Sequence, residues 1–460
     1  MKRFLQLTFA AASLMSAMAV QAQEGTEPRV LTVFDAVTFY DGYNGTVFDA
    51  DLGDGVIRHA NHLYAVHLTD EQLDWMGEDL RMCVEIGALC DNYDRIGNIN
   101  LAFVPKGVES YVPEEVERIA LARFITPFMN KNNDPKSVPY EFSDDATALI
   151  FRDSSLRAEY DYYLEFELFG VPYAANQQIV GCANRNDVFT GTFRFESTGE
   201  AAPQVDNHVL VPIVIKKPES KGHNLNNYSE AGTDTIGTCT KTYRFEMPKD
   251  VQDARITLIT SNHGANAGGE EYVRRKHLIY VDGELELVYT PGGVSCEPYR
   301  KYNTQPNGIY GYRPQSDSSW ASWNNWCPGA AIPIREVNLS GLSAGEHTVM
   351  IRVPDAEFAD QQGDFPVSMY VQGLTEGNLP AGVFSMFSEA DVKLRISDNI
   401  LYVDGSDSVA ELEIYDAAGR LCYGTLRPAE GVSLTGFVNG VYIAVATTAD
   451  GRVTFRKFSR

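Results

Sequence analysis

The chain has 460 residues, 62 acidic against 38 basic, and a formal net charge of −24 at pH 7. That acidity excludes nucleic acid and anionic membrane surfaces as partners, since like charges repel on approach, and leaves a neutral partner such as carbohydrate open. The length accommodates several domains, each with its own core.

In chain order, Lys2 and Arg3 precede an apolar run from Phe4 to Val20 and the small-residue pattern Val20-Gln21-Ala22. This predicts a secretory signal over residues 1–22 rather than a membrane span. No later stretch has the uninterrupted apolar length that crossing a bilayer requires. Export permits disulfides. The seven cysteines are Cys83, Cys90, Cys182, Cys239, Cys296, Cys327 and Cys422, an odd number that leaves at least one unpaired within the chain.

Val30 to Asp41 alternates apolar and polar residues as a strand does. Thr69 with Gln72 three residues on, followed by Leu73, Met76 and Leu80, predicts a short capped helix. Arg81–Gly87, IGNINLAFVP, IALARFITPF, Thr147–Phe151 and Tyr160–Phe169 read as strands. The polar segment Glu196–Asp206, with Pro and Gly, marks a domain boundary. HVLVPIVI opens a second block. A long polar loop runs from there to Cys239, and TYRFEMP, RITLIT, HLIYVDG, ELVYTPGG, HTVMIRV and FPVSMYV follow at short spacing. Many short strands with turn signals and little helical periodicity predict all-β sandwiches, two of them side by side, with a groove between. The linker GLTEGNLPAGV precedes a third unit, a small β-meander.

Two segments stand apart. CDNYDRIGNI carries Asp94 beside Arg95. The stretch Ala254–Gly283 runs a strand into a Gly/Asn-rich loop with His263, Gly268, Gly269, Glu270 and Glu271, and leaves toward the hairpin signal Asp282-Gly283. Asp94 and Arg95 read either as a local ion pair or as an acid kept ionised by a guanidinium. Glu270 and Glu271 read either as solvated neighbours or, if buried, as a pair with a raised carboxyl pKa. The long loop Tyr299–Pro328 is rich in Tyr, Trp and Asn, residues that stack on and hydrogen-bond to sugars. Cys83 and Cys90 are close enough to tie a loop before Asp94, and Cys296 with Cys327 would staple the aromatic loop; spacing alone proves neither pairing. Gly341-Leu342-Ser343-Ala344-Gly345 matches the serine-hydrolase pattern, but a strand rather than a helix follows, so it reads as a turn. His59 and His62 have no acidic or cysteine partner at ligand spacing, so no metal is expected and copper chemistry finds no support.

CDNYDRIGNINLAFV, ARFITPF, HVLVPIVI, RITLITSNHG, GGEEYVRRKHLIYVDG and NWCPGAAIPIREVNL, in this order, resemble the peptide-N-glycosidase F family. The resemblance implies an all-β chain with two side-by-side eight-stranded antiparallel jelly-roll sandwiches, over 28–200 and 205–375. It implies hydrolysis of the amide between asparagine and the first N-acetylglucosamine of N-linked glycoproteins or glycopeptides, without a cofactor, by a monomer. A lectin-like glycan binder on the same scaffold is the alternative. By position, Asp94 and Glu271 match the family's catalytic acids. Arg95, Tyr93, His263, Tyr272, Phe128, Glu270 and Trp326 match the substrate cleft. Asp153 stands in for a third acid after a one-residue slip, and the pairs Cys83–Cys90 and Cys296–Cys327 match disulfides. Gly269 and Val273 replace a cysteine pair that brackets the glutamate elsewhere in the family, and Trp323 replaces an arginine. The last unit, 384–460, through LEIYDAAGRL, GVYIAVATTADG and the terminal KFSR, resembles a type IX secretion sorting domain of Ig-like β-sandwich form. It implies passage through the outer membrane by that machinery, with release or surface attachment.

Overall fold

The computed structural model describes residues 28–44, 52–143, 145–197, 200–215, 236–237, 239–263, 269–305, 310–321, 325–357, 365–380, 392–448 and 453–460. The expected leader, Gly268 and Trp323 lie outside the described residues. The first sandwich contains β1 (Arg29–Tyr40), β2 (Val56–Ala60), β3 (Leu63–Leu68), α1 (Asp70–Asp74), β4 (Arg81–Ala88), β5 (Ile96–Pro105), β6 (Glu117–Ile125), β7 (Ser137–Ser143), α2 (Asp145–Arg152), α3 (Ser154–Glu159), β8 (Tyr160–Leu168), α4 (Tyr173–Gln178) and β9 (Asp187–Ser197). A four-stranded sheet in the order β1-β9-β4-β7 faces a five-stranded sheet in the order β2-β3-β8-β5-β6. That is one strand more than the expected eight; the short hairpin β2–β3 supplies the far edge.

The second sandwich contains β10 (His208–Val214), β11 (Thr240–Met247), β12 (Asp253–Thr260), β13 (His277–Val281), β14 (Glu284–Tyr289), α5 (Asp317–Ala321), β15 (Arg335–Leu339), β16 (Gly345–Arg352) and β17 (Val367–Leu374). Its sheets run β10-β17-β12-β15 and β11-β16-β13-β14. The β13–β14 hairpin turns at Asp282-Gly283, where both residues take positive φ (49° and 84°), the conformation that this dipeptide favours. A third, smaller sandwich contains β18 (Lys393–Ser397), β19 (Ile400–Asp404), β20 (Val409–Asp416), β21 (Leu421–Leu426), β22 (Gly431–Ser433), β23 (Val441–Thr448) and β24 (Val453–Ser459). Its sheets are β18-β19-β22 and β21-β20-β23-β24.

Local chemistry fixes the elements near the site. Thr69 caps α1 with a reciprocal box to Gln72, as the sequence predicts, but the helix ends at Trp75 and spans fewer residues than the apolar spacing suggested. Thr147–Phe151, read as a strand, lies in α2. Its apolar residues are buried almost throughout, and a short continuous apolar run carries no period that separates helix from strand.

Each large sandwich has its own core, and the first core extends across the boundary between them. Ile259, Trp326, Ile332 and Tyr370 of the second pack into the aromatic interior of the first, where Phe166 meets Phe34 and Phe39 edge-on at 5.5 and 5.1 Å. The segment after Cys327 lies along β6, the edge strand. Gly329 N–H donates to Ile125 O at 3.0 Å, Ile125 N–H to Ala330 O at 2.9 Å and Ile332 N–H to Arg123 O at 2.8 Å. An otherwise open edge is thereby covered.

The third sandwich docks on the outward face of β13 and β14. Leu278, Tyr280, Leu285 and Val288 meet Tyr415, Ile443 and Val445 in a separate apolar cluster. Lys276 Nζ pairs with Glu413 Oε1 at 2.8 Å and lies 4.6 Å from the Tyr415 ring centroid.

Candidate active site

The Asp94 loop leaves β4 and enters β5, and several independent ties fix its path. Cys90 forms a disulfide with Cys182, not with Cys83. Cys83 sits inside extended β4, and the strand from Cys83 to Ala88 spans roughly 17 Å, far beyond disulfide reach. Cys83, Cys239 and Cys422 take part in neither disulfide; the first two are buried and Cys422 is exposed. Cys296 bonds to Cys327 as expected.

Next along the loop, Asp91 is fully buried. Its Oδ1 accepts from the Tyr93 N–H at 2.9 Å, and its Oδ2 accepts from Arg95 Nε at 2.7 Å and the Val171 N–H at 2.6 Å. Asn92 Nδ2 donates to Gln178 Oε1 of α4 at 2.7 Å. Thr126, at the end of β6, clamps the other side. Its Oγ1 donates to Tyr93 O at 3.1 Å and accepts from the Arg95 N–H at 2.8 Å, while its own N–H donates to Arg95 O at 2.8 Å.

This geometry corrects one reading of the Asp94–Arg95 pair. The Arg95 guanidinium is bonded to Asp91 at i−4 and stacks over Tyr93 at 5.3 Å, so it favours the ionised form of Asp94 only as a nearby charge, and burial outweighs it. Burial pushes the Asp94 carboxyl up to about 6; Arg95 opposes that shift and Asp91 adds to it. Arg95 resists its own desolvation because the Asp91 carboxylate raises its pKa further. Asp91, which the sequence reading passed over, is thus the structural acid of the pair. Its i,i+4 spacing to Arg95 was the available signal.

The second sandwich supplies the opposite wall. Glu271 and Tyr272 lie in the irregular loop before β13, and Glu271 is buried. The Tyr272 hydroxyl is pushed up to about 12, first by burial, then by the Glu271 and Asp94 carboxylates together. One tyrosine therefore feels both acids, which stand 177 positions apart in the chain and on different sandwiches. Tyr310, buried in the aromatic loop beside Trp320, also feels Asp94.

Three more residues expected in the cleft, Phe128, His263 and Trp326, are buried. Phe128 meets Tyr93 edge-on at 6.0 Å, and its N–H donates to Asn303 Oδ1 at 2.9 Å. Asn303 Nδ2 donates to Tyr299 O at 2.8 Å and Pro328 O at 3.1 Å, tying the aromatic loop to the Asp94 side. Trp326 stacks on His263 at 5.4 Å and donates from Nε1 to Asn262 O at 2.8 Å. His263 Nε2 lies 2.7 Å from Ser261 Oγ. Asn325 Nδ2 donates to Glu271 O at 2.7 Å and Glu270 O at 3.2 Å, a clamp the sequence reading missed because nothing in the N-W-C-P-G pattern marks it.

Two expected substrate residues do not face the cleft. Glu270 is 2% exposed, is held bidentately by Arg275 (2.8 and 3.0 Å) and accepts from the Glu357 N–H at 2.9 Å. Its carboxylate is consumed in folding the loop. Asp153 caps α3, accepting from the Ser155 and Leu156 N–H groups at 2.8 and 3.0 Å, and its Oδ2 lies 2.9 Å from His208 Nδ1. An aspartate just ahead of a helix is drawn to the N-cap, and this one also joins the two sandwiches.

The serine-hydrolase pattern resolves as the expected turn. His347 pairs with Asp282 at 2.6 Å, but its Nε2 faces the backbone carbonyl of Ser343 at 2.8 Å, and β16 follows directly. His59 stacks edge-on to Tyr111 at 4.6 Å, and burial with nearby Arg118 lowers its pKa to about 4. Among the described residues, no group of three His, Cys, Asp or Glu side chains is placed to hold a metal ion.

Comparison with known proteins agrees with this architecture. The model of the peptide-N-glycosidase F N-terminal domain matches residues 30–184, and that of its C-terminal domain matches residues 231–372. No curated protein matches by sequence. Among solved structures, PNGF-II is similar in two crystal forms. The TM-scores are 0.55 and 0.56, the identities 18% and 17%, and 77% and 76% of this chain is covered. The chain spans 66% of the length of PNGF-II. PNGase F, a glycosylasparaginase from Flavobacterium meningosepticum, aligns at 16% identity and TM-score 0.49 over 78% of this chain and 100% of that one. With both domain models matched in order over more than half of its length, the chain belongs to the peptide-N-glycosidase F family.

Proposed function

We propose that the protein is an amidase that hydrolyses the bond between asparagine and the first N-acetylglucosamine of N-linked glycoproteins or glycopeptides. Asparagine becomes aspartate and the glycan leaves as a glycosylamine. The observation that carries this reading is the convergence of Asp94 and Glu271 on Tyr272, with the Asp94 carboxyl raised to about 6. A carboxyl near that value exchanges its proton readily around neutrality, which suits handling the proton between attacking water and leaving nitrogen. In this reading Arg95 and the loop amides stabilise the oxyanion, and Glu271 orients water and the core sugar. By the same reading the part-exposed rings of Tyr93 and Tyr272 face the glycan, and Phe128, itself buried, packs behind Tyr93.

Mass spectrometry of a defined N-glycopeptide tests the reading. Asparagine emerging as aspartate with the whole glycan freed supports it. A glycopeptide that returns intact from high-mannose, complex and core-fucosylated glycans, yet binds, turns the assignment to a non-catalytic glycan binder.

The third sandwich we read as an export module recognised by an outer-membrane secretion machinery, so that the protein is secreted or held at the cell surface. Support comes from its sequence resemblance and the leader-like N-terminus. Deletion of residues 384–460 should strand the protein inside the producing cell; export unaffected by that deletion would refute the module.

A further inference from the structure

The segment that carries Glu271 has no sheet or helix to satisfy its carbonyls. Residues 269–276 form turns and irregular backbone between a strand end and β13, and a single turn bond, from the Tyr272 N–H to Gly269 O at 2.9 Å, lies within them. Buried carbonyls require donors, and here side chains supply them, Asn325 reaching the most carbonyls. Asn325 Nδ2 lies 2.7 Å from Glu271 O, 3.2 Å from Glu270 O and 3.5 Å from Val273 O. A primary amide fits this task because it offers two N–H donors from one atom with no charge to desolvate.

The clamp itself is rigid. Asn325 is 5% exposed and adjoins Trp326, whose indole is bonded to Asn262 O, and Cys327, bonded to Cys296. Asn262 returns to the same loop, its Nδ2 donating to Glu270 O at 3.1 Å. The Glu270–Arg275 pair anchors the segment on its far side. Glu271 thus projects from a backbone whose carbonyls are fastened on one side and whose neighbouring side chain is fastened on the other.

From this geometry we infer that Asn325 is a positioning residue for Glu271: its carboxamide fixes the backbone from which the glutamate reaches the cleft. The inference rests on the amidase reading for its consequence in turnover, and on the clamp geometry alone for its consequence in loop order. Without the carboxamide, Glu271 keeps its chemistry and loses its place.

The test uses the full chain with Asn325→Ala, Asn325→Asp and Asn325→Gln, and two readouts. Hydrogen exchange of amides 269–276 is expected to quicken about tenfold in N325A and N325D, with the first sandwich unchanged. On an N-glycopeptide, kcat should fall about 100-fold, the scale of a 1 Å misplacement, with KM within about threefold. N325Q, which keeps the donor one methylene further out, should recover part of both, and it serves as the folded control if the smaller side chains impair folding. Exchange over 269–276 that matches the unsubstituted protein would overturn the inference, and so would N325Q behaving like N325A. Should the unsubstituted protein release no glycan at all, the amidase reading fails while the exchange result still decides the role of Asn325.

Discussion

Arg123 of β6 reaches across the boundary between the two large sandwiches and donates from Nη1 to Ser261 Oγ at 3.1 Å, and Ser261 is in turn 2.7 Å from His263. The same guanidinium donates to Asn98 Oδ1 at 2.9 Å, Pro366 O at 3.0 Å and Ser368 Oγ at 3.0 Å, and none of it is exposed. One side chain therefore fastens the domain interface and the histidine of the cleft together. Arg123→Met should destabilise the pair of sandwiches by about 3 kcal/mol, since it leaves several buried partners without their donor. Arg123→Lys should recover only part, because an ammonium cannot reproduce the planar fork. The urea midpoint checks stability, and the imidazole NMR shifts of His263 check the coupling.

Asp94 places function and stability in opposition. Its carboxyl is raised to about 6 in the folded chain against 3.8 for the free side chain. Folding therefore favours the protonated form. Its penalty is absent below pH 4, grows between 4 and 6 and is complete above 6. Asp94→Asn should raise stability at pH 8 by about 1–2 kcal/mol, allowing for partial exposure. That gain should vanish at pH 4, as thermal melts across the range would reveal. The same substitution should cut turnover by about 100-fold or more while leaving glycopeptide binding intact, and Glu271→Gln should behave alike.

Pairing of Cys90 with Cys182 closes a sequence separation of 92 residues and joins the Asp94 loop to α4. By loop-closure entropy, the double Ser substitution should cost roughly 4 kcal/mol in denaturant unfolding. Mass mapping of the unreduced protein should find Cys90 linked to Cys182. A maleimide should label Cys422 in the native protein, and reach Cys83 and Cys239 only after unfolding, because both are buried.

Close approach at Gly419 holds the third sandwich in place. A Cβ there would lie 2.6 Å from the Tyr280 hydroxyl and 2.8 Å from Leu278 Cδ1, and the backbone has φ of +76°. Gly419→Val should loosen the dock without unfolding either partner. A zero-length cross-linker, which should join Lys457 to Glu286 in the unsubstituted protein, would report the change as a lost cross-link.

By itself, the sequence determined the all-β architecture. The strand-like run IGNINLAFVP, the alternation in YDYYLEFELF, the Asp282-Gly283 turn and the Thr69–Gln72 box are local signals, and each is present where the residues placed it. Tertiary structure decided what those signals cannot carry. Period-2 alternation cannot say that Arg95 turns to Asp91 rather than Asp94, that Glu270 is spent on Arg275, or that Asp153 caps a helix. Nor does spacing reveal that Cys90 reaches Cys182 rather than Cys83, since β4 is extended and carries the nearer cysteine away. Adjacent residues on a strand or tight loop point to different sides, so neighbours in sequence part company and distant ones meet. Asp94 and Glu271 share a tyrosine only because the two sandwiches pack together, with the segment after Cys327 bonded along β6, and burial in the folded chain raises the Asp94 carboxyl.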